Sequence, residues 1–196
     1  MGDGAAEKVR PRDRILGTAR DLFHKHGIRG VGIDAITEAA GTNKMTLYRH
    51  FDSKDDLIIE CLRTVACDAN AIWNQFEAEH PNDKLGQLQA WVRTVADGLK
   101  VDGRGCDMAN AAVELTEDDH PARQVIKELK TAQRDRLVGL CRDAGIEQAE
   151  LLADTLSLLL EGARVSRQSV GAEGPSAQFV RMAEGVIASF RNTARA

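Results

Sequence analysis

Between Gly41 and Phe51 the chain has no acid, and five of its side chains on one predicted helix are hydrogen-bond donors: Lys44, Thr46, Tyr48, Arg49 and His50. A cation, hydroxyls, a phenol and an imidazole grouped on one short helix can donate to phosphate oxygens or to base edges in a major groove. Leu47 and Phe51, at i and i+4, are expected to point inward and leave those donors on the other faces. Lys54 stands at the start of the next helix, where an ammonium and free backbone amides can hold one phosphate together.

These residues need a frame. The segment IDAITEAAGTNKMTLYRHF reads as a short helix from about Asp34 to Ala40, a break at Gly41 and a second short helix from about Lys44 to Phe51. Two short helices joined by a tight glycine turn make a helix-turn-helix. The turn calls for glycine because a positive φ is costly for a residue with a Cβ. Ile36, Ala39 and Ala40 supply the inner face of the first helix, the two alanines being small enough for close approach. Such a pair can also be a packing unit alone, so the surrounding charge matters.

Charge is unevenly spread. The whole chain has a net charge of -4. From Lys8 to Lys54, however, ten basic residues stand against five acids, and the remainder has 16 basic against 25 acidic residues. A basic head on an acidic body suits a polyanionic partner.

The elements around the head read as helical throughout. After a tail over residues 1 to about 9, a helix starts near Pro11, with Ile15, Ala19, Leu22 and Phe23 as its apolar stripe. Gly27 stops it, and residues 28 to 32 form a turn. That glycine cluster is no phosphate loop, since it follows a helix and lacks the Gly-Lys-Ser/Thr ending. Ser53 caps a fourth helix, with Asp56 completing part of a capping box. Leu57, Ile58, Cys61, Leu62 and Val65 point inward along it, and it runs to about Glu79. Further helices are expected from about Asp83 to Lys100, Met108 to Leu115, Pro121 to Ala144, Glu147 to Val170 and Pro175 to Thr193. The fold class is all-α.

Other chemistries find little footing. Glu114, Glu117, Asp118, Asp119 and His120 cluster near Cys106, but the acids abut a helix start, where they serve its dipole. No nucleophile, base and orienting group occur at catalytic spacing, so no enzyme is expected. Cys61, Cys67, Cys106 and Cys141 form no C-x-x-C pair and have no histidine at zinc spacing, so neither a metal nor another cofactor is expected. No apolar run reaches the ~18 residues of a membrane span, and no leader-like segment opens the chain. The expected setting is the cytoplasm, with reduced thiols and no membrane partner.

Three strings make the head specific: AxxLFxxxG at Ala19 to Gly27, Ala-Ile-x-x-Ala-Ala-Gly at Ala35 to Gly41, and TLYRHF-x-SK-x-x-L at Thr46 to Leu57. With them, Ile15 to Leu57 closely resembles the DNA-binding domain of the TetR family of transcriptional repressors. The resemblance covers about the first third of the chain. It implies a helix-turn-helix DNA-binding domain over residues 10–56 and a helical effector-binding and dimerisation domain over 57–196. It also implies that Lys44, Met45 and Arg49 meet base edges or nearby backbone, and that Thr46, Tyr48, His50 and Lys54 hold phosphates. Many members begin the second helix with a threonine that contacts phosphate. Here Ile33 stands in that place, leaving the Gly32 or Ile33 backbone amides to serve.

The C-terminal residues Phe179, Met182, Ala183, Val186, Ile187 and Phe190 form one amphipathic stripe. The preceding helix, with Leu151, Leu152, Leu156, Leu158, Leu159 and Leu160, is apolar on more than one face. An internal core would explain this. The resemblance implies instead that the last two helices pair with their copies in a homodimer, through a four-helix interface. It further implies a small-molecule effector held between the middle helices, for which Trp73, Phe76, Trp91, Cys106, Met108, Asn110, Glu114 and Leu156 are candidates. The function so implied is that of a probable repressor, bound as a dimer to a palindromic operator of double-stranded DNA and released by the effector. The alternative is a redox- or metal-responsive regulator on the same scaffold, using cysteines such as Cys61 and Cys67, which are six residues apart.

Overall fold

Pro11 opens the first helix, α1 (Pro11–His26), at a position where its missing N–H costs nothing. His24, Lys25 and His26 occupy the last turn, where cations suit the dipole. Gly27 ends α1 at φ 77°, a conformation that favours glycine. The computed structural model describes residues 10–193 and, among them, nine α-helices and no strand. The tail expected over residues 1 to 9 lies outside the described residues.

The two short helices follow, α2 (Ile33–Ala39) and α3 (Lys44–His50), separated by Gly41 at φ 60°. Asn43 caps α3 by accepting from the Thr46 N–H at 2.9 Å. α4 (Lys54–Glu79) starts from a capping box displaced by one residue. Ser53 Oγ accepts from the Asp56 N–H, while Asp56 accepts from the Asp52 N–H. The inner face of α2 differs from expectation. Ala39 is exposed, and Thr37 is buried in its place with its hydroxyl donating to the Asp34 carbonyl. In a helix of seven residues, one step of rotation decides which small side chain meets the core.

The body is built from α5 (Lys84–Val101), α6 (Asp107–Glu114), α7 (Pro121–Asp143), α8 (Ala149–Val170) and α9 (Phe179–Thr193). The last expected helix is divided: Pro175–Gln178 forms a 3-10 turn before α9 begins at Phe179.

Two cores hold the molecule together. The first joins Ile15, Ala19, Ile36, Leu47, Phe51, Leu57 and Ile58 of the head to Met108 and Ala111 of α6 and to Ala122 and Ile126 of α7. The second packs Phe76, Leu88, Trp91, Leu137, Cys141, Leu152, Leu156, Phe179 and Ile187 among α4, α5, α7, α8 and α9. Leu47 has no exposed surface, and burial on that scale is worth about 1.5–3 kcal/mol per side chain. α4 runs through both cores, with Leu57 to Leu62 in the first and Phe76 in the second.

Candidate nucleic-acid interface and interior cavity

Leu47 and Phe51 anchor α3 by burial, and this anchoring decides which of its side chains face outward. Lys44, Met45, Tyr48 and Arg49 are exposed along one side, while Thr46 and His50 are half-buried at its edges. Met45 is 75% exposed, too much for a core methionine. Of the predicted set on α3, Lys44, Met45, Tyr48 and Arg49 thus face outward together. Lys44 is not free there, because its ammonium lies 2.8 Å from the Asp34 carboxylate of α2. That hydrogen bond, followed by the charge of Asp34, raises the lysine pKa above its usual value.

Lys54 sits differently from its neighbours. Its ammonium donates to the Ile28 carbonyl at 2.7 Å and lies over the Phe23 ring. Burial lowers its pKa against the opposing pull of Asp55 and Glu114. It ties the α1–α2 turn to the start of α4.

Much of the basic surplus of the head is likewise engaged. Arg12 meets Glu60, Arg20 meets Asp68, Arg29 meets Glu117, and the Arg14 guanidinium donates to the Ala40 carbonyl at the end of α2. Among the described residues, Arg49 has no such partner. No local pattern could reveal these pairs, since their members lie far apart in sequence.

The middle helices border a half-open cavity of about 840 Å³ between α4, α5, α7 and α8. Of the expected effector residues, Trp73, Phe76 and Trp91 line it. The other five do not. Leu156 is fully buried in the second core and Met108 in the first. Cys106 stands just before α6 and packs, half-buried, on the first core. Asn110 and Glu114 border a separate cleft of about 30 Å³ between α1, α4 and α6. Asn110 there donates to the Arg104 carbonyl, and Glu114 accepts from the Arg29 N–H.

The cavity also holds a charged rim that sequence reasoning missed: Lys130 and Arg134 of α7, and Asp154, Glu161 and Arg164 of α8. Lys130/Arg134 at i, i+4 and Asp154/Glu161 at i, i+7 are each one-sided stripes. That spacing was the available signal.

One lining residue reaches the head. Asp102, just past α5, borders the cavity and also lies 3.2 Å from His24 Nε2 of α1. The other ring nitrogen of His24 is 2.5 Å from Asp107. Burial works against the imidazolium, but the hydrogen bond and charge of Asp107, then those of Asp102, outweigh it and raise the His24 pKa above 6.5. The Arg104 guanidinium adds a bond to the His24 carbonyl.

An apolar stripe of α8 is left exposed, and its middle residue, Leu158, also lines the cavity. Leu151, Leu158 and Val165 recur every seven residues and are 55%, 73% and 61% exposed, with Met182 of α9 also exposed. α8 was expected to be apolar on more than one face. The structure divides its leucines, with Leu152, Leu156 and Leu160 inward and Leu151 and Leu158 outward.

Cys61 is buried and Cys67 exposed, so the two do not share a side. Six residues turn a helix through about 240°. Among the described residues, no group of three or more His, Cys, Asp or Glu side chains is placed to hold a metal ion. Among the same residues, no helix is long and apolar enough to cross a membrane.

A three-helix head with an acid-free outward helix, set on a helical body with an interior cavity, defines a helix-turn-helix DNA-binding regulator. Residues 15–61 match the family described as bacterial regulatory proteins, tetR family. The fold is similar to that of SCO4454, a TetR-family transcriptional regulator from Streptomyces coelicolor. The two are 31% identical, with 92% of this chain and 95% of that one covered at a TM-score of 0.85. The HTH-type transcriptional repressor KstR2 of Rhodococcus jostii is 27% identical over 158 residues, 78% of this chain and 73% of that protein. The HTH-type transcriptional activator FasR of Mycolicibacterium smegmatis is 28% identical over 138 residues, 69% of this chain and 61% of that protein. The chain belongs to the TetR family of transcriptional regulators.

Proposed function

We propose that this chain is a repressor that binds a palindromic operator as a homodimer and is released by a small-molecule effector. The observation that carries the reading is the outward side of α3, where Lys44, Met45, Tyr48 and Arg49 stand together with no acid on the same helix. In this reading Lys44, Met45 and Arg49 meet base edges or nearby backbone. Thr46, Tyr48 and His50 hold phosphates, and Lys54 adds its charge from its place on the Ile28 carbonyl. Residues 10–56 act as the reading head and 57–196 as the sensing and pairing body.

The uncovered stripe of Leu151, Leu158 and Val165 supports pairing of α8 and α9 with their copies. Pairing would set two α3 helices about 34 Å apart, one helical turn of DNA, against two half-sites. Linking two weak heads raises affinity through effective concentration.

Release follows by population shift. A ligand in the cavity presses on Asp102, and Asp102 holds His24 of α1. A conformation that moves this contact re-aims the head, so half-site spacing is lost and DNA affinity falls. A cysteine-based sensor finds less support, because burial pushes the Cys61 thiol up to about 12, far from the thiolate form.

Selection of bound DNA from a random pool tests the proposal. An inverted repeat should emerge, with half-site centres about one turn apart. Enrichment of single half-sites, or of none, would overturn it.

A further inference from the structure

We propose that the effector is an amphiphilic carboxylate, an apolar body bearing one anionic head. This rests on the effector reading above and names its chemistry. Two helices aim cations at one oxygen: Lys130 Nζ lies 2.6 Å and an Arg164 guanidinium nitrogen 3.2 Å from the same Oε1 of Glu161. The cluster is therefore one positive charge in surplus, and it lines the cavity.

Elsewhere in the lining Arg134 and Asp154 form a pair, and Asp102 shares the His24 imidazole with Asp107. Arg134 grips Asp154 with two parallel contacts, at 2.5 and 2.9 Å. Asp102 accepts from the Arg104 N–H and faces His24. An ammonium has three N–H donors and a guanidinium five. Lys130 and Arg164 each commit one of these to Glu161. The remaining donors suit a second carboxylate, which would complete the cluster as a neutral set of two cations and two anions. All three side chains are about one-third exposed, so a ligand head can reach them without breaching a sealed core.

The rest of the cavity fits an apolar body. Trp73 and Phe76 meet edge to face at 5.7 Å, and Trp91 and Leu137 extend the apolar wall. At about 840 Å³ the space is of the size that takes drug-sized molecules. A neutral ligand would fill the wall and leave the surplus charge unmet. A cationic ligand would be repelled by it.

The chain has only two tryptophans, Trp73 and Trp91, and both line the cavity, so energy transfer from them to a pyrene reports occupancy. Three matched probes are titrated against the full chain: pyrenebutyrate, pyrenebutanol and pyrenebutylammonium. The carboxylate should bind about tenfold tighter than the alcohol, as a charge-assisted hydrogen bond predicts, with the ammonium weakest. Lys130→Met should remove the preference. Lys130→Arg should retain it, which separates lost charge from lost fold.

Equal binding of acid and alcohol, or a preference that survives Lys130→Met together with Arg164→Gln, overturns the carboxylate assignment and leaves the cavity as an effector site. In that case the Lys130–Glu161–Arg164 cluster is a brace between α7 and α8. Absence of transfer to every probe overturns the effector reading itself.

Discussion

Asp34, in the first turn of α2, accepts from the Lys44 ammonium at 2.8 Å, so the first cation of α3, the proposed reading helix, is held by an acid of the helix beside it. Both groups are well exposed, which makes the pair easy to exchange for a phosphate. Asp34→Asn should therefore tighten binding to all duplexes, by about threefold to tenfold at low salt, and steepen the salt dependence by up to about one unit of slope. Anisotropy titrations over a salt series measure both. Unchanged or weaker binding would show that Lys44 does not meet the DNA.

His24 gives the stability a pH dependence whose sign is fixed by its two carboxylates. Its folded pKa lies above 6.5, the value expected when unfolded. The associated stabilisation is fully present below about 6.5 and is lost as pH rises through the folded pKa. The melting temperature should fall by a few degrees from about pH 6 to pH 8, and His24→Asn should flatten that interval. A wild-type curve that rises over the same range would refute the assignment.

Leu158 is the most exposed leucine of the α8 stripe, and on a two-fold axis any residue there meets the same surface of the partner. Leu158→Glu would place like charges against each other in an apolar seam. The dimer dissociation constant should rise by about a hundredfold or more, and operator binding should fail at concentrations where the variant is monomeric. Sedimentation of both forms settles the matter. A wild-type chain that is monomeric at micromolar concentration would end the dimer proposal.

The four cysteines should differ in reactivity according to burial. Burial pushes the thiols of Cys61 and Cys141 up to about 12 and about 11, so little thiolate exists at neutral pH. Cys67 is exposed and should react first with a chromogenic disulfide, with Cys61 and Cys141 following only on unfolding. Operator affinity should be the same before and after mild peroxide. Loss of binding that Cys67→Ser prevents would instead support the thiol-based sensor.

The outward side of α3 was legible because its parts are contiguous: Leu47 and Phe51 set the inward side, and the exposed residues follow from those two anchors. Ser53 was legible as a cap for the same reason. Thr37 and Ala39 were not, since α2 is only seven residues long, too short for its apolar spacing to fix which side faces inward. In the cavity, three aromatics could be picked out by type. The charged rim left only its one-sided stripes as a signal, because the meeting of Lys130 with Glu161 is a helix–helix contact 31 residues apart in sequence. Leu156 and Leu158 differ only by two steps along α8, yet those steps turn one into the core and the other into solvent. Met108 was misplaced because nothing local to α6 says that it packs against the head.

That last contact limits how such a molecule can be re-engineered or diversify. Because Met108, Ala111, Ala122 and Ile126 share one core with Leu47 and Phe51, the first three helices do not form a detachable cassette. A chimera that borrows them from a cousin would strand complementary halves of that interior on two different parents. New operator preferences are more safely reached by exchanging the outward side chains of α3, which leave the shared interior as it is.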